Sequence, residues 1–200
     1  MNLRNAHIVL ATHNKGKVPE ISALVTPYGC TVATASNYNV SEPVEYGDSF
    51  KENALIKARH TAQITGEIAL ADDSGLCVVA LDNAPGIYSA RYAGPNKDFT
   101  VAMDKIQNAL QSLNATDMRI FFVCALAVVN PKTNAEIVFQ GEVHGTWVYP
   151  PRGDKGFGYD PAFMPDGYDI TFAEMDPQYK HAMSHRADAF KQMKVLCFGD

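Results

Sequence analysis

Apolar positions along the chain switch between two periods. "HIVLAT" (7–12) is a short apolar run with β-branched residues and predicts a buried strand. "HNKGK" turns the chain, after which Ile21, Leu24, Val25 and Tyr28 recur at helical spacing. Pro19 sits where a first helical turn tolerates it, and Gly29 is the stop signal. "CTVATA" (30–35) predicts a second strand. Beyond a loop of Asn, Ser, Pro and Gly, "SFKENALIKARHTAQITG" (49–66) predicts a helix with Ser49 as N-cap, Glu52 three residues later and Gly66 at its end. "EIALA" (67–71) and "LCVVALD" (76–82) are strand patterns on either side of Asp72-Asp73-Ser74-Gly75.

In the second half, "FTVAMDKIQNALQSL" (99–113) sets Ala102, Ile106, Ala109, Leu110 and Leu113 along one helical face. "RIFFVCALAVVN" and "AEIVFQGEVHGTWV" are long strand patterns joined by Pro131-Lys132-Thr133-Asn134, the signal of a hairpin. "PPRGDKGFGYDP" (150–161) is a glycine- and proline-rich loop, and Asp176-Pro177 caps and opens a last helix. Strands alternating with helices, then a hairpin, predict an α/β fold with a mixed central β-sheet flanked by helices.

Composition narrows the classes. A chain of 200 residues suits one large domain, or two lobes sharing a core. With 46% hydrophobic and 20% charged residues it is ordinary for a soluble globular protein. A net charge of -5 argues against a nucleic-acid polymer as partner, yet leaves room for an anionic small molecule in a local basic pocket. Cys30, Cys77, Cys124 and Cys197 lie far apart without a CxxC, which reads as small buried hydrophobes in a reducing compartment. "MNLRNAHIVLAT" lacks the shape of a signal peptide, and "IFFVCALAVV" is about half the length a membrane helix needs, so a cytoplasmic protein with no membrane partner is expected.

The candidate chemistry centres on Asp72 and Asp73. A regular strand would send them to opposite faces, but Ser74-Gly75 predicts a break that lets both bend toward one site at the strand's carboxyl end, where open α/β sheets bind ligands. A solvated Asx-type turn is the alternative. Glu45 lies just before the helix bearing Asn53 and Lys57, four apart on one face. Hard carboxylate oxygens suit Mg²⁺, which uses one or two of them plus substrate phosphates.

Thr12, His13, Asn14, Lys15, Gly16 and Lys17 offer backbone amides, a helix start and two lysines, which is how phosphates are held. The GxxxxGK[ST] pattern is absent, and an exposed turn with solvated lysines is the other reading. Phe157, Gly158, Tyr159 and Asp160 combine aromatic faces that stack nucleobases with an acceptor; a core loop in which Phe157 simply packs is the alternative. "KHAMSHR" puts Lys180 and Ser184 on one helical face, with His185 and Arg186 following as donors for base carbonyls. His181 and His185 are four apart, but no third metal ligand follows at useful spacing.

"VLATHNKGKVPEI", "ENALIKAR", "ADDSGLCVVALDNAPGIYSARYAG", "GFGYDP" and "SHRADAF" occur in the order found in the inosine/xanthosine triphosphate pyrophosphatases, which the chain resembles from about His7 to about Leu196. The resemblance implies one domain over 1–200 with two lobes, a substrate cleft between them, homodimers and Mg²⁺ dependence. The implied reaction is hydrolysis of ITP, dITP or XTP to monophosphate and pyrophosphate, cleansing the nucleotide pool. A related modified-pyrimidine pyrophosphatase and a catalytically silent nucleotide-binding protein are the competing readings. Carried over by position, Thr12 to Lys17 bind the triphosphate, Glu45, Asp72 and Asp73 form the metal site, and Asp73 accepts the proton. Lys15, Lys17 and Lys57 screen the leaving pyrophosphate. Asn53 and Ser74 contact substrate, and Phe157 to Asp160, Lys180, His185 and Arg186 surround the nucleoside. Two positions depart from the family: His13 stands where Gly is common, and the chain ends in "CFGD" rather than a polar helical finish.

Overall fold

Six strands form one mixed sheet in the order β2-β1-β3-β4-β5-β6. They are β1 (His7–Leu10), β2 (Thr31–Thr34), β3 (Ile68–Val78), β4 (Arg119–Asn130), β5 (Ala135–Trp147) and β6 (Phe163–Pro165). This computed structural model describes residues 1–199. β1 pairs in parallel with β2 and β3, with Ile8 opposite both Val32 and Ile68. Parallel neighbours need crossovers, which α1 (Lys17–Val25) and α2 (Phe50–Thr65) supply. β6 runs antiparallel to β5, with Trp147 opposite Phe163.

The chain divides into two compact units. The first comprises Met1–Asp73, Cys124–Gly141 and the residues from Arg186 on. Period-two alternation gives its part of the sheet two different faces. Ile8, Leu10, Leu70, Leu126 and Val128 pack with Ile21 and Val25 of α1 and with Ala189, Phe190 and Met193 of α6 (His185–Met193). The opposite face is almost all alanine: Ala69, Ala71, Ala125 and Ala127 meet Ala54, Ala58 and Ala62 of α2. Small side chains let α2 lie close to the strands, so the polar residues among those alanines, Asn53 and Lys57, are buried too.

The second unit, Ser74–Val123 and Glu142–His185, has its own core. Ala102, Met103, Ile106 and Leu110 of α4 (Phe99–Ser112) pack with Leu76, Phe122, Trp147, Phe163 and Phe172. A short α3 (Ser89–Tyr92) and α5 (Pro177–Met183) complete it, α5 with Asp176 capping Gln178 N–H and Pro177 opening the helix as expected.

Five features differ from the sequence reading, the first being the strand pattern over 76–82, which ends at Val78 where Val79–Leu81 turns into a 3₁₀ helix. β3 runs without interruption through Asp72-Asp73-Ser74-Gly75, so the predicted break is absent. α1 stops at Val25 because Pro27 opens a 3₁₀ turn, although Gly29 (φ 78°) still ends the segment. Leu113 falls past the end of α4 and is exposed, so it leaves the apolar face assigned to it. Ser184 takes the extended conformation typical of an N-cap (φ −69°, ψ 161°), which splits the last helix into α5 and α6 and takes Ser184 off the face it was to share with Lys180. The tail, for which the sequence set no structural expectation, packs: Cys197 and Phe198 are buried, Phe198 stacks on Tyr28 with centroids 4.2 Å apart, and the Phe198 carbonyl accepts from Arg4 Nε at 2.6 Å.

Candidate active site

Because β3 stays regular, its two aspartates keep opposite sides of the strand and meet different partners. Asp72 is fully engaged. Its Oδ2 accepts from Arg186 Nε at 3.0 Å and from the Cys124 thiol at 2.9 Å, while Oδ1 pairs with Lys17. Arg186 in turn pairs with Glu20. Burial alone would push the Asp72 carboxyl up, but the guanidinium and the ammonium hold it well below the usual carboxylate range.

Asp73 is held on one side only. Oδ1 accepts from Lys57 Nζ at 2.6 Å, and the same ammonium meets Glu45 Oε1 at 2.9 Å. The other oxygen, Oδ2, is buried and makes no hydrogen bond. Burial therefore prevails over Lys57 and Lys17 and raises the Asp73 carboxyl above its ordinary value, with the nearby Glu45 charge adding to the rise. Burial would lower Lys57, yet two carboxylates around one ammonium raise it.

The loop carrying Glu45 is fastened to the start of α2. Ser49 accepts from Glu52 N–H at 3.2 Å, Glu52 accepts from Asp48 N–H at 2.7 Å, and Asn53 Oδ1 accepts from Gly47 N–H at 2.9 Å. Asn53 thus supports the backbone beside Glu45. In the 12–17 loop, Thr12 Oγ1 accepts from Asn14 N–H and Asn14 Oδ1 from Gly16 N–H, turning the chain into α1. Lys15 is exposed, Gly16 and Lys17 are half-buried, and Ser74 is half-buried on β3. His13 is tied by Nε2 to the Val40 carbonyl at 2.9 Å.

In the second unit, Asp160 organises the aromatic loop. Its Oδ2 accepts from Phe157 N–H at 2.8 Å and from Lys180 Nζ at 2.6 Å, and that ammonium lies 4.8 Å from the centre of the Phe157 ring. Gly156 has φ +74°, and a Cβ there would fall 2.1 Å from Asp160 Oδ2, so only glycine fits. Gly158 is half-buried in the same loop. Tyr159 is a core residue rather than a second stacking face: it is 3% exposed, donates to the Ser89 carbonyl at 2.8 Å and meets Phe99 edge-on. His185 is buried and stacked on Phe122, centroids 4.9 Å apart.

The structure thus gathers Glu45, Lys57 and Asp73 into one cluster, Lys17, Asp72 and Arg186 into another, and Phe157, Asp160 and Lys180 into a third. Arg186, expected to read the base, is 3% exposed between two carboxylates. Glu20 and Cys124 escaped the sequence reading. Glu20's signal was its place three residues after Lys17 on one helix; Cys124, inside an apolar run, gave none.

Among the described residues no three His, Cys, Asp or Glu side chains stand together as a ready metal cage. Mg²⁺ needs less, since it takes one or two carboxylates and completes its shell with water and phosphate. The buried Asp73 oxygen without a hydrogen bond, beside Glu45, fits such an ion; Asp72, with both oxygens engaged, fits it less well.

A mixed α/β sheet whose third strand buries two carboxylates against lysines and an arginine is the molecule's candidate active site. The Ham1 family model matches residues 8–196, and the chain belongs to that family. It is 50% identical over 196 residues to a dITP/XTP pyrophosphatase of Zymomonas mobilis, covering 98% of this chain and 93% of that one. It is 52% identical to the dITP/XTP pyrophosphatase of Caulobacter vibrioides, with 96% and 98% covered. A HAM1 protein from Coxiella burnetii superposes with a TM-score of 0.90 at 38% identity, covering 98% of this chain and 100% of that chain.

Proposed function

We propose that this chain hydrolyses ITP, dITP and XTP to the monophosphate and pyrophosphate, and so removes non-standard purines from the nucleotide pool. The observation that carries this reading is Asp73: buried, anchored through one oxygen by Lys57, and with its other oxygen making no hydrogen bond. Half-identity to proteins named dITP/XTP pyrophosphatases supplies the substrate class.

Products of this kind require the α–β anhydride bond to break, and we place the attack of water at the α-phosphorus, with pyrophosphate as the leaving group. In our reading the 12–17 loop and Lys17 receive the triphosphate, and Lys57 joins Lys17 in offsetting charge on the departing pyrophosphate. Asp73 orients the attacking water and accepts its proton. Phe157 packs against the purine, with Asp160 and Lys180 fixing the ring's position. Asp73 and Glu45 would hold a divalent cation, Mg²⁺ by the hardness of the ligands. When bound, that ion supplies charge neutralisation at the phosphates and lowers the pKa of coordinated water. Asp72 keeps a supporting part, as counter-ion to Lys17 and Arg186.

We also place the protein in the cytoplasm, on its scattered cysteines and the shortness of its apolar runs, and as a homodimer, on the family resemblance; light scattering in solution tests the second point. Release of pyrophosphate from ITP with Mg²⁺, side by side with ATP, GTP and a modified pyrimidine triphosphate, tests the activity. Preference for ITP, dITP and XTP is the expected result. Preference for the pyrimidine, or binding without turnover, contradicts the proposal.

A further inference from the structure

Four charges in the first unit, two buried and two half-buried, alternate in sign along one line of contacts. Glu20 pairs with Arg186, Arg186 with Asp72 Oδ2, and Asp72 Oδ1 with Lys17. Side-chain exposure runs 9%, 3%, 0% and 13% along that order, so the line is most open to solvent at the Lys17 end. The Cys124 thiol donates to the same Asp72 oxygen that receives Arg186. Glu20 and Lys17 lie three apart on α1, hence on one helical face. Arg186 is therefore gripped by the helix that carries Lys17 and by the strand beside which Lys17 ends.

We propose that Glu20 and Cys124 are positioning residues: through Arg186 and Asp72 they fix α1 against β3 and hold the Lys17 ammonium in place for the triphosphate, independently of the base. A lysine on four rotatable bonds binds an anion weakly unless its ammonium is pre-placed. Paired opposite charges hold it without net charge in the interior, and the thiol's hydrogen bond satisfies an Asp72 lone pair that a third cation would overcharge. This inference rests on the triphosphate role given to Lys17 above.

Tripolyphosphate, which has no base, is the probe. Its affinity is measured by titration calorimetry on the full chain with Mg²⁺, for the wild type, Lys17→Ala, Glu20→Ala, Glu20→Gln, Cys124→Ala and Cys124→Ser, each checked for folding by circular dichroism. Expected is a loss of about tenfold or more for both Glu20 variants, the scale of a misplaced contact group. Their KM for ITP should rise in parallel while the ITP-over-ATP ratio of kcat/KM stays unchanged. Cys124→Ser, which keeps a donor, should bind better than Cys124→Ala. If Glu20→Ala does not fold, Glu20→Gln and the Cys124 pair decide. Wild-type tripolyphosphate affinity in folded Glu20 variants, or equal affinities for Cys124→Ser and Cys124→Ala, overturns the inference. No loss in Lys17→Ala overturns instead the phosphate role of Lys17, and with it the reading beneath.

Discussion

Asp72 and Asp73 are neighbours in the chain and opposites in their surroundings. The Asp72 side is closed: three donors from three elements occupy its carboxylate, and its affinity for protons falls. The Asp73 side is open: one donor is shared with Glu45, one buried oxygen makes no hydrogen bond, and its affinity for protons rises. A satisfied buried charge stiffens a structure, whereas an under-satisfied one is poised for a ligand or a proton. The contrast separates scaffold from chemistry across a single peptide bond, and a strand that did not break at Ser74 is what allows it.

The largest break of this contrast is Asp73→Asn. It should lower turnover of ITP by more than about a hundredfold, the scale of losing a general base. Its stability should move the other way. A carboxyl whose folded pKa is raised stabilises the fold only at pH below its unfolded value, and that stability is lost as pH rises through the folded value. At neutral pH the neutral amide should therefore leave the melting temperature unchanged or higher. A clearly lower melting temperature would show that Asp73 helps hold the fold.

Asp72→Asn should do the reverse in stability. Removing one partner of a buried ionic network costs about 3–5 kcal/mol, read as a lower urea midpoint. The sign in pH follows from its depressed value: the stability Asp72 contributes is full above the ordinary carboxylate range and is lost as pH falls through the folded value. The gap between wild type and Asp72→Asn should hold steady from neutral pH down to about 4 and close below it. A gap that closes already near pH 6 would mean another group governs the difference.

In the second unit, Gly156→Ala tests the base-packing loop without touching β3. Positive φ and a contact at 2.1 Å to Asp160 should displace Phe157 and raise KM for ITP, with kcat less affected. An unchanged KM would remove Phe157 from substrate binding. The smallest effect belongs to His13→Gly: with Nε2 tied to Val40, the pH profile of KM below neutrality should hardly change. A flattened profile would return His13 to the phosphates.

Much of this was legible in the chain. The strand–turn–helix at 7–25, the capped helix at 50–65 and the hairpin follow from local periodicity and caps, which need no partner to read. Glu45, Lys57 and Asp73 were also foreseeable as a group, as two carboxylates and a lysine on the helix that follows Glu45, although Asp73 was expected at a strand end and lies within β3. What stayed hidden depends on contacts between distant segments. Nothing near Arg186 announces that Glu20 and Asp72 bury it, and nothing in "IFFVCALAVV" tells Cys124 from its apolar neighbours. The break at Ser184 has no Gly or Pro to signal it. Tyr159 read as a stacking face because loop aromatics can be either, and only its bond to Ser89 places it in the core.

The separation of the two aspartates is tested most directly by divalent-metal affinity. Mn²⁺ binding, followed by electron paramagnetic resonance with a non-hydrolysable ITP analogue present, can be compared in wild type, Asp73→Asn and Asp72→Asn at a temperature where all three are folded. We predict that Asp73→Asn loses tight Mn²⁺ binding while Asp72→Asn, changed on the opposite side of β3, loses far less. Equal loss in both variants would contradict the account and make the two carboxylates a single metal site.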